Sequence, residues 1–178
     1  MKKITVFSSL LLGMAMIVPY QASAAYEAVV NPKEVASTLN HLVERAIDGQ
    51  KGFEEAAQHA SSADLKARFI AKSAERAKFA GELQTKVQQL GKEAEDEGTI
   101  AGAAHRAWID MKTAVTRNDD TAVIAAVKTG EGKALEDYRD ALKKDLPQDI
   151  RKVVQKQSEK IESSYEWAAK KAEERKKK

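Results

Sequence analysis

Cysteine is absent from the chain, so no disulfide can form and the fold must be held together by its core alone. Proline is scarce, and beyond the N-terminal leader only Pro32 and Pro147 occur, each at the start of a predicted helix. No strand is predicted, and neither a phosphate-binding glycine loop nor a Ser–His–Asp or Cys–His set has a scaffold to carry it. The abundant residues are Ala, Glu, Lys and Gln, a composition typical of all-α proteins.

The chain also lacks a large excess of charge of one sign. It carries 30 basic and 27 acidic side chains, for a formal net charge of +3. Interspersed charges argue against broad electrostatic binding, so we predict no nucleic-acid partner. Residues 170–178 are basic and could contact an anionic surface, but Glu173 and Glu174 interrupt them and no large apolar face accompanies them. We therefore expect a solvated helix end and no contact with an anionic surface.

The N-terminus has the pattern of a secretory signal. Two lysines precede an apolar run over residues 4–18, and an A-x-A motif ends at Ala24. The run is too short to span a bilayer as a mature helix, which disfavours the alternative of an uncleaved membrane anchor. We predict a signal peptide over residues 1–24 and a single helical domain over residues 25–178, with a basic tail and no transmembrane segment. The protein is then exported, and periplasmic in a Gram-negative host.

Apolar residues recur at steps of three and four in five segments, which predicts five amphipathic helices. Four are long, and a shorter one lies in the long crossover between the second and third long helices. Short turns join the first long helix to the second and the third to the fourth, which predicts two antiparallel helical hairpins. Two hairpins joined by one long crossover form a ferritin-like four-helix bundle. In chain order the predicted helices span residues 32–60, 64–90, 99–116, 121–144 and 147–171.

Two glycines lie inside the first predicted helix. Gly49 and Gly52 each cost about 1 kcal/mol relative to alanine in a helix interior. We expect the close approach of a neighbouring backbone or bulky side chain to offset this cost. The alternative is that the glycines break the helix in two.

Two opposite charges fall on apolar helix stripes. Arg76 lies on the stripe of the second long helix and Glu131 on that of the third, at about the same height. A charge on a core-facing stripe costs several kcal/mol unless it is paired or binds a metal. Gln157 falls at a similar height on the fourth helix, opposite Gly49. We interpret Arg76, Glu131 and Gln157 as a structural polar layer that fixes the helix register.

Five motifs occur in a fixed order and are spread along most of the chain beyond the leader. They are L-N-H-L-V from Leu39, D-G-Q-K-G-F from Asp48, A-E-R-A-K-F-A-G-E-L from Ala74, A-G-A-A-H-R-A-W-I-D-M-K from Ala101 and T-G-E-G-K-A-L-E-D-Y from Thr129. In this order and spacing the chain resembles a bacterial family of ferritin-like four-helix-bundle proteins that carries a domain of unknown function. The resemblance implies the bundle fold without an established activity, and a link to stress is drawn from it alone.

A ferritin-like di-iron site needs a glutamate from each of two helices and a Glu-x-x-His from each of the other two. The positions three residues after Glu75 and Glu162 hold Lys78 and Tyr165, so both histidines are missing. We predict no cofactor, no metal and no catalytic residue. The alternative is a carboxylate-only site for Fe or Mn, with metal-binding or oxidase activity. Its ligands would be Glu44, Asp48, Glu75, Glu131 and Glu162.

Aromatic residues suggest two further features. His105, Arg106 and Trp108 in the crossover can form a ligand pocket with an aromatic wall, and the alternative is a lid whose Trp closes the core. Tyr165 and Trp167 point to different sides of the last helix, so one of them is expected to be partly exposed and available for a contact in a homo-oligomer. Together these features predict an exported, non-catalytic bundle that acts by binding or association.

Overall fold

The computed structural model describes residues 30–96 and 119–176, which form four long helices. They are α1 (Pro32–His59), α2 (Ala63–Gln89), α3 (Asp120–Leu142) and α4 (Gln148–Lys176). The bounds of the first three lie close to those predicted, whereas α4 continues past its predicted end at residue 171. The predicted crossover helix over 99–116 lies outside the described residues.

Local sequence signals account for where the helices begin and end. The side chain of Asn31 accepts a hydrogen bond from the Lys33 amide at 3.0 Å, and Pro32 follows at the first helical position of α1. The side chain of Asp119 caps α3 by accepting from the Thr121 amide at 2.8 Å. Just beyond α2, Gly91 has a φ of 67°, a conformation that glycine adopts without strain.

Contacts at the helix ends establish the topology. The Ser61 amide donates to Asp120 at 2.8 Å, which places the start of α3 beside the α1–α2 turn. An ion pair of 2.6 Å between Lys86 and Asp149 places the start of α4 beside the end of α2. Consequently α2 and α3 run in the same direction, and the end of α2 and the start of α3 lie at opposite ends of the bundle. This is the ferritin-like connection between two antiparallel hairpins.

Each helix has two neighbours in the bundle. Helix α1 packs against α2 and α3, and α4 packs against α3 and α2. Helices α2 and α3 therefore face each other across the diagonal of the bundle. A contact between their side chains has to pass through its centre.

The buried apolar residues form two separate clusters. One surrounds Leu39, Leu42 and Leu83, and the other surrounds Phe53 and Phe69. On α2 and α3, Arg76 and Glu131 lie between the two clusters, and both are buried. The core is thus divided by a polar level at mid-bundle. Within the described residues, no helix combines the length and the apolar character needed to cross a membrane.

Candidate functional site

A buried ion pair lies at the centre of the bundle. Arg76 is 1% exposed and Glu131 is 4% exposed, and the Arg76 Nη2 donates to Glu131 Oε2 at 2.5 Å. The other terminal nitrogen, Nη1, donates to Glu75 at 3.1 Å. The structure therefore brings the two predicted charges together across the diagonal between α2 and α3. It also adds Glu75 as a second carboxylate for the guanidinium.

The stem of Arg76 occupies space that a glycine leaves free. A Cβ atom placed on Gly49 would lie 3.3 Å from both Cγ and Cδ of Arg76. Helix α1 is continuous through Gly49 and Gly52, so these glycines do not break it. The guanidinium carbon also lies 5.0 Å from the ring centre of Phe79 and 5.5 Å from that of Phe53. Arg76 thus extends to the bundle centre between aromatic faces and a bare stretch of α1 backbone.

Gln157 belongs to a neighbouring network and not to the ion pair. The Tyr138 hydroxyl donates to Gln157 Oε1 at 2.8 Å, and Gln157 Nε2 donates to Glu82 at 2.9 Å and to the Phe79 carbonyl at 3.4 Å. None of these hydrogen bonds reaches Arg76 or Glu131. Along α4, Gln157 lies between Val154 and Ile161, at the level of the larger apolar cluster. The two polar groups are adjacent, and Tyr138 is close enough to the ion pair to interact electrostatically with both charges.

Tyr138 is the polar residue that sequence reasoning missed. Its spacing from Ala134 and Ala141 places it on the apolar face of α3, yet its hydroxyl donates to Gln157 in the network beside the ion pair, and its side chain is fully buried. Burial raises the pKa of Tyr138 well above its usual range, so the hydroxyl stays protonated and able to donate even in alkaline solution. The available signal was the hydroxyl itself, because a buried tyrosine oxygen normally has a hydrogen-bond partner.

A groove opens above the ion pair between α1 and α3. It has a volume of about 210 Å³, and Gly49, Gly52 and Gly130 are among the residues that line it. Arg76 and Glu131 also line it, together with apolar side chains such as Phe53. Among the described residues, the Arg76 Nε atom is buried and has no hydrogen-bond partner. The groove thus combines an apolar lining with one unused buried donor.

A family model for a domain of unknown function, DUF2383, matches residues 34–144. The chain belongs to the DUF2383 family. The matched range includes Arg76, Glu131 and Tyr138, whereas Gln157 lies beyond it. No curated protein matches the chain.

One solved structure with the same fold is a mutant of Dps1 from Mycobacterium smegmatis. The match has a TM-score of 0.64 at 15% identity and covers 79% of this chain and 96% of that chain. At this identity the similarity shows the fold alone. It confirms that the DUF2383 protein is a ferritin-like four-helix bundle.

Each of the five carboxylates of the alternative metal site has a basic partner in this DUF2383 bundle, and Glu75 and Glu131 share Arg76. Glu131 binds Arg76, Glu162 pairs with Arg139 at 2.6 Å on the surface, and Glu44 lies 3.8 Å from His41. Asp48 lies 3.5 Å from Arg45. Residues 30–96 and 119–176 contain no group of three or more His, Cys, Asp or Glu side chains that could hold a metal ion.

Glu75 is the most heavily paired of these carboxylates. It accepts from Lys72 at 2.8 Å and from Arg76, and Lys160 lies 3.5 Å away. Partial burial acts to raise the pKa of Glu75, but the Lys72 hydrogen bond and the three neighbouring cations outweigh it and lower the pKa. The carboxylate is therefore ionised and already satisfied by cations of the protein itself.

The remaining predicted residues fall into two groups. His105, Arg106 and Trp108 lie outside the described residues. Tyr165 and Trp167 are both partly buried within their own bundle, Tyr165 against Gly132 and Trp167 edge-on to Phe69.

The basic tail continues helix α4 as far as Lys176, and two of its residues contact the bundle. Ala172 is buried, and Arg175 lies 3.3 Å from Asp120 at the start of α3. At least one cation of the tail thus has a partner within the bundle.

Proposed function

We propose that this DUF2383 protein is an exported, non-catalytic bundle that acts by binding or association. The observation that supports this best is the Arg76–Glu131 pair. It occupies the middle of the bundle, where a ferritin-like di-iron protein would hold its metals between carboxylates and histidines. Here a guanidinium supplies the positive charge that a metal would supply there.

The ion pair also opposes the binding of a divalent metal at this level. A metal ion would have to displace the Arg76 guanidinium from both Glu75 and Glu131. It would then leave a buried arginine without its partners, which is strongly unfavourable. Both histidine ligands of the di-iron set are missing as well, so the remaining carboxylates would bind a metal too weakly to offset this cost.

Metal titration of the purified protein tests this part of the proposal. Calorimetry with Fe²⁺ or Mn²⁺ and metal analysis after purification are expected to show no stoichiometric binding. Glu131→Ala removes the central carboxylate, and Asp140→Ala serves as a control because Asp140 pairs with Lys143 on the surface and is not among the candidate ligands. Stoichiometric metal that is lost in Glu131→Ala and kept in Asp140→Ala would overturn the proposal in favour of a Fe or Mn protein.

Export is proposed from the leader pattern over residues 1–24. Cell fractionation and intact-mass measurement are expected to find a mature chain that begins at Ala25, outside the cytoplasm. Recovery of the chain in the cytoplasm with its leader uncleaved would contradict export without affecting the metal result. Substitution of Ala22 and Ala24 by bulky residues gives the matched control, because it should block cleavage alone.

The partner class follows from charge and from the tail. The near balance of charges supports a protein or small-molecule partner over nucleic acid. Because Arg175 is engaged with Asp120, the tail is a poor candidate for an anionic surface. Sedimentation velocity shows whether the protein associates with further copies of itself. Stronger retention on anionic than on neutral vesicles would contradict the proposal of a protein or small-molecule partner.

A further inference from the structure

The α1–α3 groove has the size of a small-molecule site. Its volume of about 210 Å³ exceeds the roughly 150 Å³ that is sufficient for a benzene-sized molecule in an apolar protein cavity. Its lining is mostly apolar, with Phe53, Val127 and Ile161 among the contributing side chains. Such a lining, with few polar groups placed among apolar ones, is typical of ligand pockets.

Glycines keep this groove open. Gly49 and Gly52 contribute backbone without side chains from α1, and Gly130 does the same from α3. Gly130 is exposed at the groove, and a Cβ added to it would meet no atom within 4 Å, so this side of the groove is open. Gly49 accommodates the Arg76 stem, whereas Gly52 and Gly130 border the open space at a cost in helix propensity.

The groove also contains one unsatisfied donor. The Nη atoms of Arg76 bind Glu131 and Glu75, while its Nε–H is buried without a partner among the described residues. A buried donor of this kind is costly unless something accepts from it. Water is a poor solution in a mostly apolar space, because an ordered water needs two to four polar partners.

The charges around the donor select the type of ligand. The cations that line the groove are already paired, Arg76 with Glu131, Arg45 with Asp48 and Lys133 with Asp137, so an anion entering it would find no unpaired cation and would approach the Glu131 and Asp48 carboxylates. A neutral acceptor such as a carbonyl oxygen would meet no such repulsion. We therefore propose that the groove binds a small, neutral, mostly apolar molecule with one hydrogen-bond acceptor, which accepts from Arg76 Nε. This inference rests on the proposed binding role and names the site for it.

Two probes of the same carbon skeleton, one with an acceptor and one without, test the ligand class. Acetophenone has a carbonyl oxygen, and ethylbenzene has a similar shape without one. In an NMR titration of the ¹⁵N-labelled protein, acetophenone should shift the amide signals of Gly49, Gly52 and Gly130 in a saturable way. It should bind about tenfold more tightly than ethylbenzene, the discrimination expected for one hydrogen bond to a charged group.

A pair of glycine variants tests the site. Gly130→Leu should fill the groove and weaken acetophenone binding by at least about tenfold, the size of effect seen when a pocket's apolar contacts are lost. Gly81→Leu is the control, because Gly81 is helical and exposed, has no atom within 4 Å of an added Cβ and does not line the groove. Both variants replace a helical glycine by a better helix former, so both should fold.

The outcomes separate this inference from the proposed function. No saturable shift with acetophenone, equal affinity for the two probes, or equal binding by Gly130→Leu and Gly81→Leu would each overturn the ligand proposal. None of these results bears on metal binding or export. Stoichiometric metal at Glu131 would instead overturn the proposed function. The probe titrations would still decide whether the groove binds the ligand.

Discussion

Arg76 and Glu131 are 55 positions apart in the sequence, and their nearest polar atoms are 2.5 Å apart in the structure. They join α2 and α3, the two helices that face each other across the bundle diagonal and are connected by the longest stretch of chain. Each of the two side chains is almost completely buried. Removing Arg76 leaves Glu131 as a buried charge without this partner, and removing Glu131 leaves the buried Arg76 with Glu75 alone, which is why the pair is central to this fold.

The fit of Arg76 against Gly49 can be tested with a single methyl group. Gly49→Ala would place a Cβ 3.3 Å from two atoms of the Arg76 stem, which is held in place by Glu131 and Glu75. We expect a loss of about 1–2 kcal/mol in the free energy of unfolding, since overpacking outweighs the gain in helix propensity. Urea denaturation measures the change.

Gly81→Ala is the matched control for this substitution. Gly81 lies in the interior of α2, and an added Cβ there meets nothing within 4 Å. It should therefore gain up to about 1 kcal/mol from helix propensity. A similar gain for Gly49→Ala would show that Arg76 moves aside easily and that the close fit is unimportant.

The buried hydroxyl of Tyr138 predicts a loss of stability at high pH. Burial raises the pKa of Tyr138 in the folded state, so the unfolded state releases this proton first as the pH rises. The resulting stability is fully present below the unfolded pKa of about 10 and declines above it by up to about 1.4 kcal/mol per pH unit. Urea denaturation between pH 8 and pH 11 should show this additional decline for the wild type.

Tyr138→Phe distinguishes the ionisation of Tyr138 from the titration of lysines, because the lysines titrate in the wild type and in the variant alike. The variant should be less stable by about 1–3 kcal/mol at pH 7, because Gln157 loses its donor in the core. Its difference from the wild type should then shrink above pH 10. A difference that stays constant to pH 11 would mean that Tyr138 ionises as readily in the folded state as in the unfolded state.

Asp120 predicts the opposite behaviour at low pH. Burial acts to raise the pKa of Asp120, but the hydrogen bonds from the Ser61 backbone and side chain and the charge of Arg175 outweigh it and lower the pKa. The stability it contributes is present above the unfolded pKa of about 4 and is lost as the pH falls through the lower folded value. Asp120→Asn should cost about 1 kcal/mol at pH 7. In urea denaturation between pH 7 and pH 2, the difference in the free energy of unfolding between the variant and the wild type should vanish toward pH 2. A difference that stays constant would mean that the variant loses packing and not a charge interaction.

Most of the fold could be predicted from short-range patterns. Apolar steps of three and four residues indicated the four helices, and Pro32 and Pro147 marked the starts of two of them. The pairing of Arg76 with Glu131 could be inferred because a charge on an apolar stripe needs a partner. Gly49 pointed to the same level of the bundle.

The position of Gln157 and the groove could not be obtained in this way. Periodicity gives the face of a helix on which a residue lies but not its height relative to another helix, which depends on how the hairpins dock. Gln157 was accordingly placed with Arg76, although it binds Tyr138 at the level of the larger apolar cluster. The groove depends on the spacing of α1 and α3, which side-chain packing determines and sequence pattern does not.

The most direct test of the central ion pair is a double-mutant cycle with Arg76→Met and Glu131→Ala, measured by urea denaturation. Glu131→Ala alone should cost about 3–5 kcal/mol because it leaves the Arg76 charge buried without this partner. Glu162→Ala, which breaks the exposed pair with Arg139, is the control and should cost no more than about 1 kcal/mol.

If the ion pair holds the centre of the bundle, the double variant will lose clearly less stability than the sum of the two single losses, because it buries no unpaired charge. A loss below about 0.5 kcal/mol for Glu131→Ala, together with additive effects in the double variant, would contradict this account.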